Sequence, residues 1–253
     1  MKTITDYDVA AREIVAWTKG AFENHGFKNA IVCVDGEKDS TVVAKILIDA
    51  LGKDKVYGVV TPTTRDTDQS TEYTILRDLV ITNIKEANLG LLIDAAYDTS
   101  MIALEQTSIG SHTKSRAMVD VKNLVLNMLH SEIPDSTVVC TKNLSDLTIG
   151  NYEFPSDIGL IAPVAGMTNT EVKELGITIG LRKELMYKKP YIAMENCPLE
   201  MRLGFKDEQI DAYVRGDLEA LTDGVRMAIE SRVMKSAIYK NAFKMNFYHP
   251  IIN

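Results

Sequence analysis

The spacing of hydrophobic and polar positions changes several times along the chain, and each change marks an element. Ala10, Ile14, Trp17 and Ala21 recur at helical spacing behind Thr5 or Asp6, either of which is placed to cap a helix ending near His25 and Gly26. Ala30 to Val34 is an unbroken apolar run, followed by the polar turn Asp35, Gly36 and Glu37. Beyond it, Val42, Val43, Ile46, Leu47 and Ala50 fall on one face. This predicts a buried strand, a tight loop and an amphipathic helix. Asp39 or Ser40 is expected to cap that helix, since a short side-chain oxygen satisfies free amides of the first turn, and Gly52 stands where a left-handed C-terminal cap belongs.

The same alternation continues. Val56 to Val60 reads as a second strand, and after the loop TPTTRDTDQST a helix points Leu76, Leu79, Val80 and Ile84 inward. Leu89 to Ile93 reads as a third strand, followed by Asp94 and a helical stretch from Thr99. Thr113 to Leu129 is a long amphipathic helix, and Thr137 to Cys140 a fourth strand. Strands alternating with helices imply a doubly wound parallel α/β sheet with helices on both faces. Past Thr141 the pattern turns helical and loop-rich: Thr168 or Thr170 caps a helix, MYKKPYIAMENCP is irregular, and Asp207 to Arg215 and Asp217 to Lys240 close the chain as a helical C-terminal extension. The whole is read as a single domain over 1–253, with an α/β core over 1–150 and C-terminal loops and helices over 151–253.

Composition narrows the function. With 45% hydrophobic and 25% charged residues the chain is an ordinary globular protein, and at 253 residues it is long enough for a substantial core. A net charge of −7 argues against a nucleic-acid surface, which needs concentrated lysine and arginine. Cys33, Cys140 and Cys197 are scattered and odd in number, as expected of buried thiols in a reducing compartment. Neither a membrane-length apolar run nor a signal-peptide core is present, so the expected location is the cytoplasm. His25, His112, His130 and His249 share no metal-site spacing. In a parallel sheet, ligands bind at the carboxyl ends of the strands, where Asp35 to Ser40, Pro62 to Thr64, Asp94 and Thr141 are expected to gather. A loop opening a helix there offers amides and a positive helix end to a phosphate. The rival reading is that Asp39 and Ser40 only cap a helix and that Asp146 is only a solvated acid.

The wording of the loop adds to its geometry. DGEKDST resembles the SGGxDS pyrophosphate loop of the ATP pyrophosphatase group, with Asp39, Ser40 and Thr41 matching its second half and Gly36 its first glycine. Further matches follow in order. VYGVVTP resembles the second strand of ammonia-dependent NAD synthetases, and VVCTKNLSD resembles that family's GTGNxSE, with Thr141, Asn143 and Ser145 kept and Asp146 for Glu. VKELGITIGLRKELMYKKP and EMRLGFKDEQIDAYVRGD resemble a later helix and the end of the substrate loop. The chain therefore resembles the ammonia-dependent NAD synthetase family over nearly its whole length. Another ATP pyrophosphatase, amidating or thiolating, shares the loop but not the LGFKDEQID segment.

The resemblance implies a ligase that adenylates the carboxylate of nicotinic acid adenine dinucleotide with ATP and magnesium, after which ammonia displaces AMP. It implies catalytic roles for Asp39 and Ser40, ATP contacts from Asp35, Gly36, Lys38, Ser40, Thr41, Thr141 and Arg116, substrate contacts from Asp157 and Lys240, and Mg2+ ligands in Asp39 and Asp146. A homodimer is implied too. Departures share a direction. Glu37 replaces the second loop glycine, placing a carboxylate against an anion and a side chain where a positive backbone angle is expected. YEFPSDI stands where the family has FTKYGDG, Asn169 where it has a helix-opening Lys, and Lys240 alone survives from a closing His-Lys-Arg. The arginine-rich helix maps to TKSRAMV, giving Lys114 and Arg116. Two readings follow: a divergent synthetase in which Lys38, Arg65, Lys114 or Lys142 replaces the lost charge, or an impaired homologue that binds nucleotides or partners.

Overall fold

The structure is a computed structural model and describes residues 4–63, 68–151, 159–188, 191–192 and 197–240, with backbone alone at 112, 191–192, 197–199 and 237–240. Helix α1 (Tyr7–His25) starts at Asp6, whose carboxylate accepts from the Val9 amide, and stops at Gly26 in the left-handed region. Strand β1 (Asn29–Cys33) leads through the loop into α2 (Lys38–Leu51), and β2 (Val56–Val60) follows a short 3-10 turn. Gly52 does take a positive φ of 88°, but its ψ of 147° lies outside the left-handed helical region. Helix α3 (Ser70–Asp78), β3 (Asn83–Glu86), α4 (Gly90–Leu104), α5 (Ser111–Glu132) and β4 (Ser136–Val138) complete the α/β part.

The strands pair in parallel in the order β3-β2-β1-β4. Because alternate residues face opposite sides, Ala30 and Val32 of β1 join Ile14 and Phe22 of α1, Val43 and Leu47 of α2, and Val172 and Leu175 in one core. Ile31 faces the other way, against Val59 and Leu126 of α5. The doubly wound architecture follows directly. Each fully buried Ile, Leu or Val contributes about 1.5–3 kcal/mol by leaving water.

One stretch differs from the sequence reading. The third strand is Asn83–Glu86, not Leu89 to Ile93, and Ile84 belongs to it rather than to α3. Its residues are mostly exposed, because it is an edge strand with one hydrogen-bonded neighbour, so it carries no apolar run. Leu89 to Ile93 instead begins α4. Leu89 and Ile93 are buried at helical spacing, while Leu91 is 79% exposed. Asp94 is accordingly inside a helix and not at a strand end. Helix α3 stops early because Val80, at φ +56°, turns the chain so that Ile81 packs beside Gly58 and Leu76.

After β4, Val139 bridges to Ile161, and Gly159 lies so close to that strand that a Cβ would sit 2.6 Å from the Val138 carbonyl oxygen. Helix α6 (Leu144–Ile149), α7 (Asn169–Thr178), α8 (Lys183–Met186), α9 (Leu199–Leu203), α10 (Asp207–Arg215) and α11 (Asp223–Lys240) follow. The irregular segment holds a two-residue antiparallel pair, β5 (Tyr191–Ile192) and β6 (Cys197–Pro198). Thr168, not Thr170, caps α7 in a capping box with Glu171. Glu171 also accepts from Arg215 Nε at 2.9 Å and from its Nη2, a buried ion pair that fastens the start of α7 to the end of α10. Ile149, Leu203, Phe205, Ile210 and Ile229 form the core of the extension. Among the described residues, no helix is long and apolar enough to cross a membrane.

Candidate functional site

The loop between β1 and α2 is shaped by its own side chains. Gly36 carries the positive φ, +80°, and a Cβ there would lie 3.1 Å from Glu72 Oε1 of α3, so glycine is required. Glu37 has φ −101° and ψ 164°, an ordinary extended conformation. The strain expected at Glu37 is therefore absent: the loop turns at Gly36 and not at its successor. Asp35 Oδ1 accepts from Ser40 Oγ at 2.6 Å and from the Glu37 amide at 3.1 Å, and Thr41 Oγ1 donates to the Glu37 carbonyl at 2.7 Å. Glu37 occupies the N-cap of α2 without a side-chain cap bond. Asp39 and Ser40 lie inside the first turn, so neither is the cap. Burial, together with the nearby Asp35 and Asp39 carboxylates, pushes the Glu37 carboxyl up to about 7, with Lys38 and Lys142 offsetting part of the effect.

Behind the loop, three helix starts meet in a polar knot. Lys38 Nζ is buried, 2.5 Å from Asp39 Oδ2 and 2.8 Å from Asn169 Oδ1 at the start of α7. Asn143 caps α6 by accepting from the Asp146 amide at 2.9 Å, and its Nδ2 donates to both Asp39 Oδ1 and Asn169 Oδ1 at 3.0 Å. Asp211 of α10 accepts from Ser145 Oγ at 2.6 Å and from the amides of Asn169 and Thr170 at 3.2 and 2.7 Å. Burial works against the Lys38 ammonium, but Asp39, Asp146 and Asp207 outweigh it and hold its proton more tightly than in an ordinary lysine. Asp146 accepts from Asn151 Nδ2 at 2.8 Å. Its burial pushes its carboxyl up; Lys142 works against that, and Asp39 adds to it.

Most of the predicted residues gather here. Asp35, Glu37, Lys38, Asp39, Thr141, Lys142, Asp146 and Asn169 line one cleft, whose far wall is Leu203, Asp207 and Ile210 of the extension. Ser40 and Thr41 lie directly behind it, both buried. Thr141 also lines a second cleft, between α5 and the ends of β1 and β4, with Cys33, Asn123, Leu126, His130 and Cys140. Arg116 does not reach the loop cleft: it is half-exposed on α5, 3.7 Å from Asp120. Lys114 lies over the Tyr97 ring. Arg65 and Asp157 fall outside the described residues, as does the side chain of Lys240. Sequence reasoning missed Asn143 as the hinge of the knot, the acceptor role of Asp211, and Lys188, whose Nζ reaches the Gly36 carbonyl at 3.4 Å.

The donor set tests the expected magnesium ligands. Both Asp39 oxygens are engaged, one by an ammonium and the other by an amide. Asp146 has one oxygen bonded to Asn151 Nδ2. Among the described residues, no group of three His, Cys, Asp or Glu side chains is arranged to hold a metal. As they stand, Asp39 and Asp146 do not form a closed cage of protein oxygens; magnesium is commonly held by one or two carboxylates together with substrate phosphates.

The NAD synthase family model matches residues 10–247. The chain belongs to the NAD synthase family. Relatives similar to this NAD synthase-family chain include the NH(3)-dependent NAD(+) synthetases of Methanosarcina acetivorans, 26% identical over 215 residues spanning 83% of this chain and 82% of the relative, and of Archaeoglobus fulgidus, 26% identical and covering 73% of each. The fold is shared with an NH3-dependent NAD synthetase from Campylobacter jejuni (TM-score 0.77, 17% identity, 97% of this chain and 100% of that one). It is shared also with an NMN synthetase from Francisella tularensis (TM-score 0.82, 16% identity, 96% and 99%). The loop, the Thr141-Lys142-Asn143 turn and the start of α7 all lie within the family match.

Proposed function

We propose that the protein is an ammonia-dependent ligase that amidates the carboxylate of nicotinic acid adenine dinucleotide. A carboxylate oxygen attacks the α-phosphorus of ATP, the α–β bond breaks and pyrophosphate leaves. Ammonia then forms the C–N bond, AMP departs and the surplus proton passes to solvent. The observation that carries this reading is the Gly36 turn at the start of α2, at the carboxyl end of β1, inside the family match. There the first-turn amides of α2 would meet a departing pyrophosphate, whose developing charge hydrogen-bond donors stabilise, while the buried Ser40 and Thr41 hydroxyls hold the loop in shape through Asp35 and the Glu37 carbonyl. Thr141, common to the two clefts, supports a nucleotide lying across both, with phosphates at the loop and the nucleoside beside α5. In this reading the α/β part up to about residue 150 binds ATP, and the extension contributes the wall for the acceptor. No role in the chemistry is given to magnesium at Asp39 or Asp146.

Exposed apolar side chains on α4 and α5, among them Leu91, Ile102, Leu124 and Met128, support a homodimer covering that face. Light scattering of Ile102→Glu tests it: the variant runs as a monomer, whereas an unchanged mass removes this face as the interface.

The decisive assay combines the dinucleotide acid, ATP, magnesium and ammonium, and follows NAD and AMP together. Equal appearance of both supports the ligase. Absence of NAD from folded, ATP-binding protein favours the second reading, a retired site that binds nucleotide, for which the carboxylate of Glu37 beside the phosphate loop is the specific support. A parallel arm with nicotinic acid mononucleotide decides the acceptor.

A further inference from the structure

Lys38 is an unusual residue for its surroundings. It is 5% exposed in the first turn of α2, where the positive end of the helix dipole works against a cation. A buried ammonium persists only where anions and hydrogen-bond acceptors compensate it. Here its Nζ reaches Asp39 Oδ2 and Asn169 Oδ1, and Asn143 closes the ring by donating to the other Asp39 oxygen and to Asn169. Asp39 thus has an ammonium on one oxygen and an amide on the other, the ammonium standing on the side from which a cation would approach Oδ2. A divalent ion at Asp39 would also sit within a few ångströms of a fixed positive charge, in a part of the protein where screening is weak.

We infer that Lys38 is the resident cation of this site, replacing a metal ion at Asp39 and turning that carboxylate into a positioning residue for the junction of α2, α6 and α7. Asn169 makes the arrangement possible, because its side-chain oxygen accepts the ammonium where a second cation would repel it. Any divalent ion that enters with ATP is then carried by the phosphate oxygens; only this last clause rests on the nucleotide reading above.

The probe is Mn2+, added without nucleotide to the full chain, with paramagnetic broadening of the Asn143 and Asn169 side-chain amides as the readout. In the wild type those signals stay sharp as Mn2+ is raised. Selective broadening there, before other signals respond, overturns the inference without the need for any variant. Lys38→Gln removes the charge and keeps a hydrogen-bonding side chain, so Mn2+ then binds at Asp39 at least about tenfold more tightly than in the wild type, the equivalent of about 1.4 kcal/mol of relieved repulsion. A folded Lys38→Gln protein with no gain in Mn2+ binding also sinks it, and Lys38→Arg, which restores a cation, should behave as the wild type. None of these readouts depends on turnover: failure of NAD formation leaves the Lys38 assignment standing, and failure of the Mn2+ test leaves the ligase reading standing.

Discussion

Glu37→Gln removes a loop carboxylate whose charge opposes a phosphate. In the folded protein the carboxyl is displaced from 4.5 to about 7, chiefly by burial and then by Asp35 and Asp39. At 1.36 kcal/mol per pH unit this corresponds to about 3 kcal/mol. The side chain retains partial solvent contact, which screens the interaction, so about 1.5–3 kcal/mol is the range to expect. The sign follows from proton linkage. A group whose folded pKa is raised favours folding fully below its unfolded value and loses that contribution as pH rises through the folded value. Glutamine mimics the neutral acid and cannot ionise. Urea unfolding of the two proteins should therefore give equal stability near about pH 4.5 and a growing advantage for Glu37→Gln between about pH 5 and 8, reaching about 1.5–3 kcal/mol. ATP titrations should follow the same course, with the variant binding more tightly at about pH 8 and equally at about pH 5. A stability difference that stays flat across this range would falsify the argument, because the effect would then come from packing and not from charge.

Three further perturbations probe the surrounding frame. Gly36→Ala forces a side chain into a left-handed residue against Glu72, costing about 1–2 kcal/mol and weakening ATP binding; calorimetry that finds both unchanged contradicts the loop geometry. Asn143→Ala removes the α6 cap and the amide held on Asp39, so the midpoint of unfolding should drop by the equivalent of at least about 1 kcal/mol. Glu171→Gln takes the carboxylate from the buried Arg215, and a loss of about 3 kcal/mol in chemical denaturation is expected; a loss under about 1 kcal/mol would mean that solvent reaches the pair.

Periodicity carried the sequence reading as far as it applies. Helices α1, α2, α5 and α7 were legible because each buries one regular face, and strands β1, β2 and β4 because burial makes them short apolar-rich runs. Strand β3 was not, since an edge strand exposing most of its side chains leaves no apolar pattern, and Leu89 to Ile93 mimicked a strand while serving as the first turn of α4. In the site, Asp35, Gly36, Asp39, Ser40 and Thr141 could be placed because they lie next to recognisable strand ends. The bonds from Lys38 to Asn169 and from Ser145 to Asp211 could not, because no local rule connects polar residues so distant along the chain. The fall in positive charge inferred from Asn169 was likewise half the account: the ammonium arrives at that point from α2 instead.

The separations inside the polar knot also bear on how the protein folds. Lys38 and Asn169 are 131 residues apart, and Asn143 and Asp39 are 104 apart. A growing chain can form β1, α2 and their loop long before Asn169 is synthesised, yet until then Lys38 has no acceptor on α7. Docking of the start of α7 onto the loop is therefore expected late, after the entropy of closing a long loop has been met. Contacts absent from the folding transition state act on unfolding and not on folding. Nucleotide bound at the loop should accordingly lengthen the lifetime of the native protein while leaving its refolding rate unchanged.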